Sequence, residues 1–170
     1  MRLSILTIGV ILSAQPHCTL AAESSPKAVF EQLKSLAGDW RSSKANSPTV
    51  VNYKVIANGT SLVETWMMSP TRTSMTVYTL DGERLIATHY CPQGNAPRLQ
   101  LTHTDKDGAH HFAFVDGANL QDPSGFHEHA FWITFDATGT LTRSETYIGN
   151  GAAYNPQVDK GDEQSFTRLK

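Results

Sequence analysis

The stretch "VVNYKVIANGTSLVETW" (residues 50–66) decides the fold. Two β-rich runs, expected over 49–57 and 60–67, flank Asn58-Gly59, a dipeptide that supplies the positive φ values of a two-residue hairpin turn. Such a turn fixes register, setting Val55 opposite Leu62, Tyr53 opposite Glu64 and Val51 opposite Trp66. Side chains alternate along a strand, and the other face carries Asn52 and Lys54, so the Tyr53, Glu64, Trp66 face is expected to point inward. That places a carboxylate on the buried side. It needs a partner or a proton, because a bare carboxylate in an apolar interior is costly.

The same signals recur along the chain. Asp81-Gly82 and Asp107-Gly108 are further hairpin dipeptides, and β-rich runs lie at 74–80, 83–91, 97–104, 109–116, 127–135 and 140–148, with shorter ones at 39–43 and 163–169. The one helix expected is "SSPKAVFEQLKSLAG" (residues 24–38), with Ser25 as N-cap, Pro26 in the first turn and Gly38 as terminator. Consecutive strands joined by short turns pair as a meander. The fold class is therefore all-β, an antiparallel up-and-down barrel of about ten strands with a short N-terminal helix, because closure leaves no open sheet edge.

Register extends to the later strands. Asp107-Gly108 as a two-residue turn sets His103 opposite Phe112 and Leu101 opposite Phe114 on an inward face. In "HEHAFWITF" (residues 127–135), His127, His129, Phe131, Ile133 and Phe135 share a face expected to point inward, which brings two histidines near one rim. Arg143 and Glu145 share a face with Leu141 and Tyr147 and suit an internal ion pair. His89 and Cys91 share one side of their strand and Tyr90 takes the other, and alternation alone does not choose which side is inward.

The first 22 residues carry Arg2, an apolar run from Leu3 to Leu12 and small residues at Ala21 and Ala22, the layout of a secretory signal peptide. Residues 23–170 are expected to form a single domain in a periplasmic or secreted protein. The apolar run is too short to span a bilayer, and no later stretch is longer, so no membrane span is expected. Loss of the leader removes Arg2 from 14 Lys+Arg set against 16 Asp+Glu and takes the net charge from −2 to −3. A mildly acidic chain without a basic stripe argues against nucleic acid as a partner. It also loses Cys18, leaving Cys91 as the sole cysteine, so no intrachain disulfide forms.

The densest polar stretch is "THYCPQGNAPR" (residues 88–98). His89 and Cys91 are two apart on one strand face, a spacing that permits a catalytic pair and equally suits a buried thiol beside a hydrogen-bonded histidine. Pro92, Gly94 and Pro97 serve turn geometry, while Asn95 and Arg98 fit either a turn or a cavity mouth. Glu64 is a general base if desolvation raises its pKa, and otherwise a hydrogen-bonding partner of Tyr53 or an inward histidine. The chain has neither an HExxH nor a CxxC signature, so no metal and no cofactor are expected.

"LAGDW" (residues 36–40), leading from a short helix into a first strand, resembles the Gly-x-Trp start of lipocalin-like barrels. The resemblance implies that a late arginine, here Arg168, stacks over Trp40. "MTVYTLDGERLIATHYCPQGNAPRL", "FAFVDGANL" and "HEH" together resemble a family of secreted bacterial proteins with a lipocalin-like, or calycin-like, barrel. The matching positions are Tyr78, Asp81, Gly82, His89, Tyr90, Cys91, Asn95, Arg98, Asn119 and His129. The resemblance implies a fold and no established activity.

The expected function is binding of a small, partly apolar molecule in the barrel. Trp66, Phe112 and Phe114 supply area, and Glu64, Tyr78, His89, Asn95, Arg98 and His129 orient polar atoms. The alternatives are an isomerase or hydrolase using Glu64 or His89 as acid or base, and a filled barrel acting as a structural or interaction module. The oligomeric state is left open.

Overall fold

Ser25 opens the helix by accepting a hydrogen bond from the Ala28 amide on its Oγ at 3.2 Å, with Pro26 at the first helical position, where its missing N–H costs nothing. The computed structural model describes residues 24–120, 125–149, 152–155 and 161–170, so the proposed leader lies outside the described residues. Helix α1 (Pro26–Lys34) is followed by β1 (Gly38–Ser42), β2 (Val50–Ile56), β3 (Ser61–Ser69), β4 (Arg72–Asp81), β5 (Arg84–Tyr90), β6 (Ala96–Thr104), β7 (His110–Ala118), β8 (His127–Phe135), β9 (Thr140–Ile148) and β10 (Asp162–Arg168). Each strand pairs antiparallel with its chain neighbours, and β1 closes on β10. The protein is thus a closed ten-stranded up-and-down barrel, consistent with a lipocalin-like fold.

The β2–β3 hairpin has the expected register: Val51 faces Trp66, Tyr53 faces Glu64 and Val55 faces Leu62. Asn58 at φ 54° and Gly59 at φ 87° carry the turn, which the Thr60 amide closes onto the Ala57 carbonyl at 3.1 Å.

The β6–β7 register differs from expectation. Leu101 faces Phe112, Leu99 faces Phe114, and His103 faces His111 on the exposed side. The turn has three residues, Lys106 to Gly108, closed by Asp105 N–H to Ala109 O (2.9 Å) and Gly108 N–H to Asp105 O (3.1 Å). Gly108 at φ 85° takes the left-handed position that such a loop requires, and Asp105 Oδ1 accepts from the Asp107 and Ala109 amides. The extra turn residue, with a bulge between Leu101 and His103, moves His103 out of the interior.

Helix α1 packs across one end of the barrel and buries Val29, Phe30 and Leu33. Trp40, 2% exposed, donates from its indole to the Leu36 carbonyl at 2.8 Å. Arg168 sits 4.4 Å above the Trp40 ring and donates to the Ala37 and Ser35 carbonyls at 2.7 and 2.8 Å, just past the end of α1. Gly38 at φ 129° makes room for it: a Cβ there would stand 3.1 Å from Arg168 Nη1. The implied stacking is present, and it ties helix, first strand and last strand together.

A buried arginine layer beneath an open mouth

Above this apolar plug, of which Leu62, Leu85, Leu99, Phe112 and Phe166 form part, alternation delivers polar side chains to the interior. Glu64, fully buried on β3, accepts from Trp66 Nε1 on one oxygen and from the Tyr78 hydroxyl on the other, both at 2.5 Å. Arg143 on β9, 1% exposed, lies 3.9 Å above the Phe131 ring centroid. Its Nη1 donates to Tyr78 Oη (3.0 Å) and Glu64 Oε2 (3.4 Å), its Nη2 to Glu128 Oε1 (3.0 Å), and its Nε to Glu145 Oε1 (2.9 Å). The expected Arg143–Glu145 ion pair is therefore present within a larger network. Burial works against the guanidinium charge, but the surrounding Glu64, Tyr78, Glu145 and Glu128 outweigh it and hold Arg143 firmly protonated.

Glu128 is the member that alternation placed on the wrong side. A bulge between Glu128 and Ala130 breaks the β8 pattern: Glu128 pairs with Tyr147 and is fully buried. His127 and His129, expected to share the face of Phe131, gather with Phe114 beyond the point where the described β7–β8 pairing stops at Ala113 and Ala130, His127 buried at 1% exposure and His129 partly exposed. Burial, with the charges of Glu145 and Glu64, drives the Glu128 carboxyl well above its usual range despite Arg143. Its Oε2 is buried with no hydrogen-bond partner, 3.6 Å from His89 Nδ1. His89 faces inward at 2% exposure, with Nδ1 3.0 Å from Thr76 Oγ1 and Nε2 3.4 Å from the Tyr147 hydroxyl. Burial first, and Arg143 next, push its pKa down to about 4, so it is neutral at pH 7.

At the end opposite α1, this layer floors a cavity of about 460 Å³ lined by Trp66, Arg72, Cys91, Glu145, Tyr147 and Asp162 among others. A space of this size matches small-molecule sites. "CPQGN" builds part of its rim: Cys91 N–H to Asn95 O (3.0 Å) and Gly94 N–H to Cys91 O (2.9 Å) make another three-residue turn, with Gly94 at φ 92°. Cys91 and Pro92 line the cavity, so the stretch is both a turn and a mouth wall. Burial raises the Cys91 thiol pKa, as expected of an unreactive cysteine.

The expected site residues separate. Glu64, Trp66, Tyr78 and His89 meet in the buried layer, and of these Trp66 also lines the cavity. Phe112 lies in the core, stacked on Phe131 at 4.5 Å. Phe114 and His129 stand together at the edge. Asn95 donates to the Phe126 carbonyl at 2.8 Å and ties the rim to the segment entering β8. Arg98 lies on the exposed outer face, forked onto Asp116 at 2.5 Å on both sides, away from the cavity. Reading the residues missed Glu128, for which no local signal announced a bulge, and Arg72 and Asp162, which lie at the beginnings of strands. Among the described residues no helix is long and apolar enough to cross a membrane, and none group to hold a metal ion. No protein-family model matches the chain, and no curated protein matches it.

Proposed function

We propose that this is a secreted or periplasmic barrel that binds a small molecule in its open mouth, and that residues 1–22 are its leader. The observation that carries the reading is the cavity of about 460 Å³ whose floor is held rigid by the Arg143 network. Side chains pinned by buried hydrogen bonds lose little freedom on binding, the condition under which a modest contact area yields affinity. Trp66 and Met68 offer apolar area, and Tyr147, Glu145 and Gln164 offer hydrogen bonds. The resemblance to secreted bacterial lipocalin-like proteins agrees with this reading. Binding is favoured over acid/base catalysis because Glu64 and His89 lie below the cavity lining with their polar atoms engaged by protein groups.

Native mass spectrometry of the protein taken from its own compartment tests the proposal. A co-purifying mass is expected on the wild type and should be lost from Ser74→Phe, which fills the cavity. No bound mass, together with a Ser74→Phe variant more stable than the wild type, would favour a barrel that acts only as a module.

A further inference from the structure

We infer that the ligand is an organic cation, a protonated amine carried on an apolar body. The inference rests on the mouth cavity being a binding site, and it names the chemistry of what enters. Glu145 and Asp162 are direct cross-strand partners on β9 and β10, and both line the cavity. Like charges directly opposite one another in a sheet repel, so this arrangement is unfavourable until a cation shares the two carboxylates. Glu145 Oε1 is already engaged by Arg143, but that guanidinium also serves Glu64 and Glu128, so one buried positive charge answers three carboxyl groups. Glu128, fully buried and cross-strand from Tyr147, takes the guanidinium's Nη2, so with Nε on Glu145 and Nη1 on Tyr78 and Glu64 all three of its nitrogens are committed within the floor.

The opposite wall complements this end. Trp66 and Met68 on β3 present apolar surface, and Cys91 and Pro92 continue it. Trp66 is fixed by its bond to Glu64 and by edge-to-face packing on Phe166 at 5.2 Å, so it is a rigid wall. Arg72 is the cation of the lining; it is exposed at the start of β4, on the wall facing β9 and β10. An ammonium at the Glu145–Asp162 end with its carbon skeleton against Trp66 satisfies both walls. An anion would meet the two carboxylates, and Arg98, expected to orient polar atoms of the ligand, stands outside the barrel.

The test uses the full chain without its leader and three probes of similar shape, 2-phenylethylamine, 2-phenylethanol and 3-phenylpropionate, titrated at pH 7 by ligand-observed NMR. The amine is expected to bind at least about tenfold more tightly than the alcohol or the carboxylate, the effect of one charged hydrogen bond. Asp162→Asn should reduce amine binding by about fivefold or more and leave the alcohol unchanged, because it removes charge and keeps shape. Equal binding of all three probes, or amine binding indifferent to Asp162→Asn, would overturn the cation assignment and leave the pocket standing. Binding of none, with no co-purifying mass on the native protein, would overturn both.

Discussion

Arg143 shows how one residue organises an interior. A buried guanidinium with three carboxyl partners gives little net stability compared with an apolar core, yet removing it strands charge in a low-dielectric space. Arg143→Met should therefore cost about 3–5 kcal/mol in urea unfolding. Arg143→Lys should recover little, since the single nitrogen of an ammonium cannot span the four acceptors that Nε, Nη1 and Nη2 reach from separate positions. A loss below about 1 kcal/mol for Arg143→Met would show that the carboxyls are satisfied without it.

The two titrating neighbours act with opposite sign. His89 is neutral in the fold with a pKa near 4 against 6.5 in the unfolded chain, so the unfolded state binds more protons between those values. Its contribution is present above pH 6.5 and is lost as pH falls toward 4, by up to about 3 kcal/mol. Glu128 has a raised pKa, so the folded state holds the extra proton, and stability falls as pH rises above about 4.5. His89→Gln should lose the gain between pH 4 and 6.5, and Glu128→Gln should gain on the wild type as pH rises. Parallel pH–stability curves for wild type and either variant would refute that assignment.

At the scale of elements, the clasp between α1, β1 and β10 is the feature most open to a single change. Arg168→Ala removes a cation-π contact and two bonds to carbonyls beyond the helix end, and should lower stability by about 1–2 kcal/mol. An unchanged thermal midpoint would mean that α1 is held by Val29, Phe30 and Leu33 alone. The clasp was implied by the resemblance of "LAGDW" to lipocalin-like starts, whereas the β2–β3 register and the closed meander were legible from local signals, an Asn-Gly turn and period-two alternation. What escaped were single-residue insertions. A three-residue turn at Lys106 to Gly108 in place of a two-residue one moved His103 outward, and the bulge beside His129 turned Glu128 into the interior. Bulges arise from the way a strand bends to close the barrel, a tertiary demand with no fixed residue signature. Of the candidate site, the inward face of Tyr53, Glu64 and Trp66, set by the Asn58-Gly59 turn, and the Arg143–Glu145 ion pair on β9 were legible; alternation left the inward face of His89 open on β5, and β10 had no turn dipeptide to set its register.

The whole molecule is a barrel of two unlike ends, one plugged by α1, Trp40 and packed aliphatics, the other an open polar mouth. Ends so different need not open together, because local openings cost less than global unfolding where few apolar contacts resist them. Cys91 reports on the mouth: it lines the cavity, is 8% exposed, and is the only cysteine after residue 22. Its buried, raised-pKa thiol should react with a bulky disulfide reagent at least about a hundredfold more slowly in the native protein than in urea. The remaining slow reaction should proceed through movement of the mouth. Arg168→Ala, acting at the far end, should then leave the labelling rate within about twofold of wild type, whereas an amine seated between Glu145 and Asp162 should slow it. A rate that rises about tenfold in Arg168→Ala, in step with the lost global stability, would instead mean that Cys91 is reached only when the barrel unfolds as one unit.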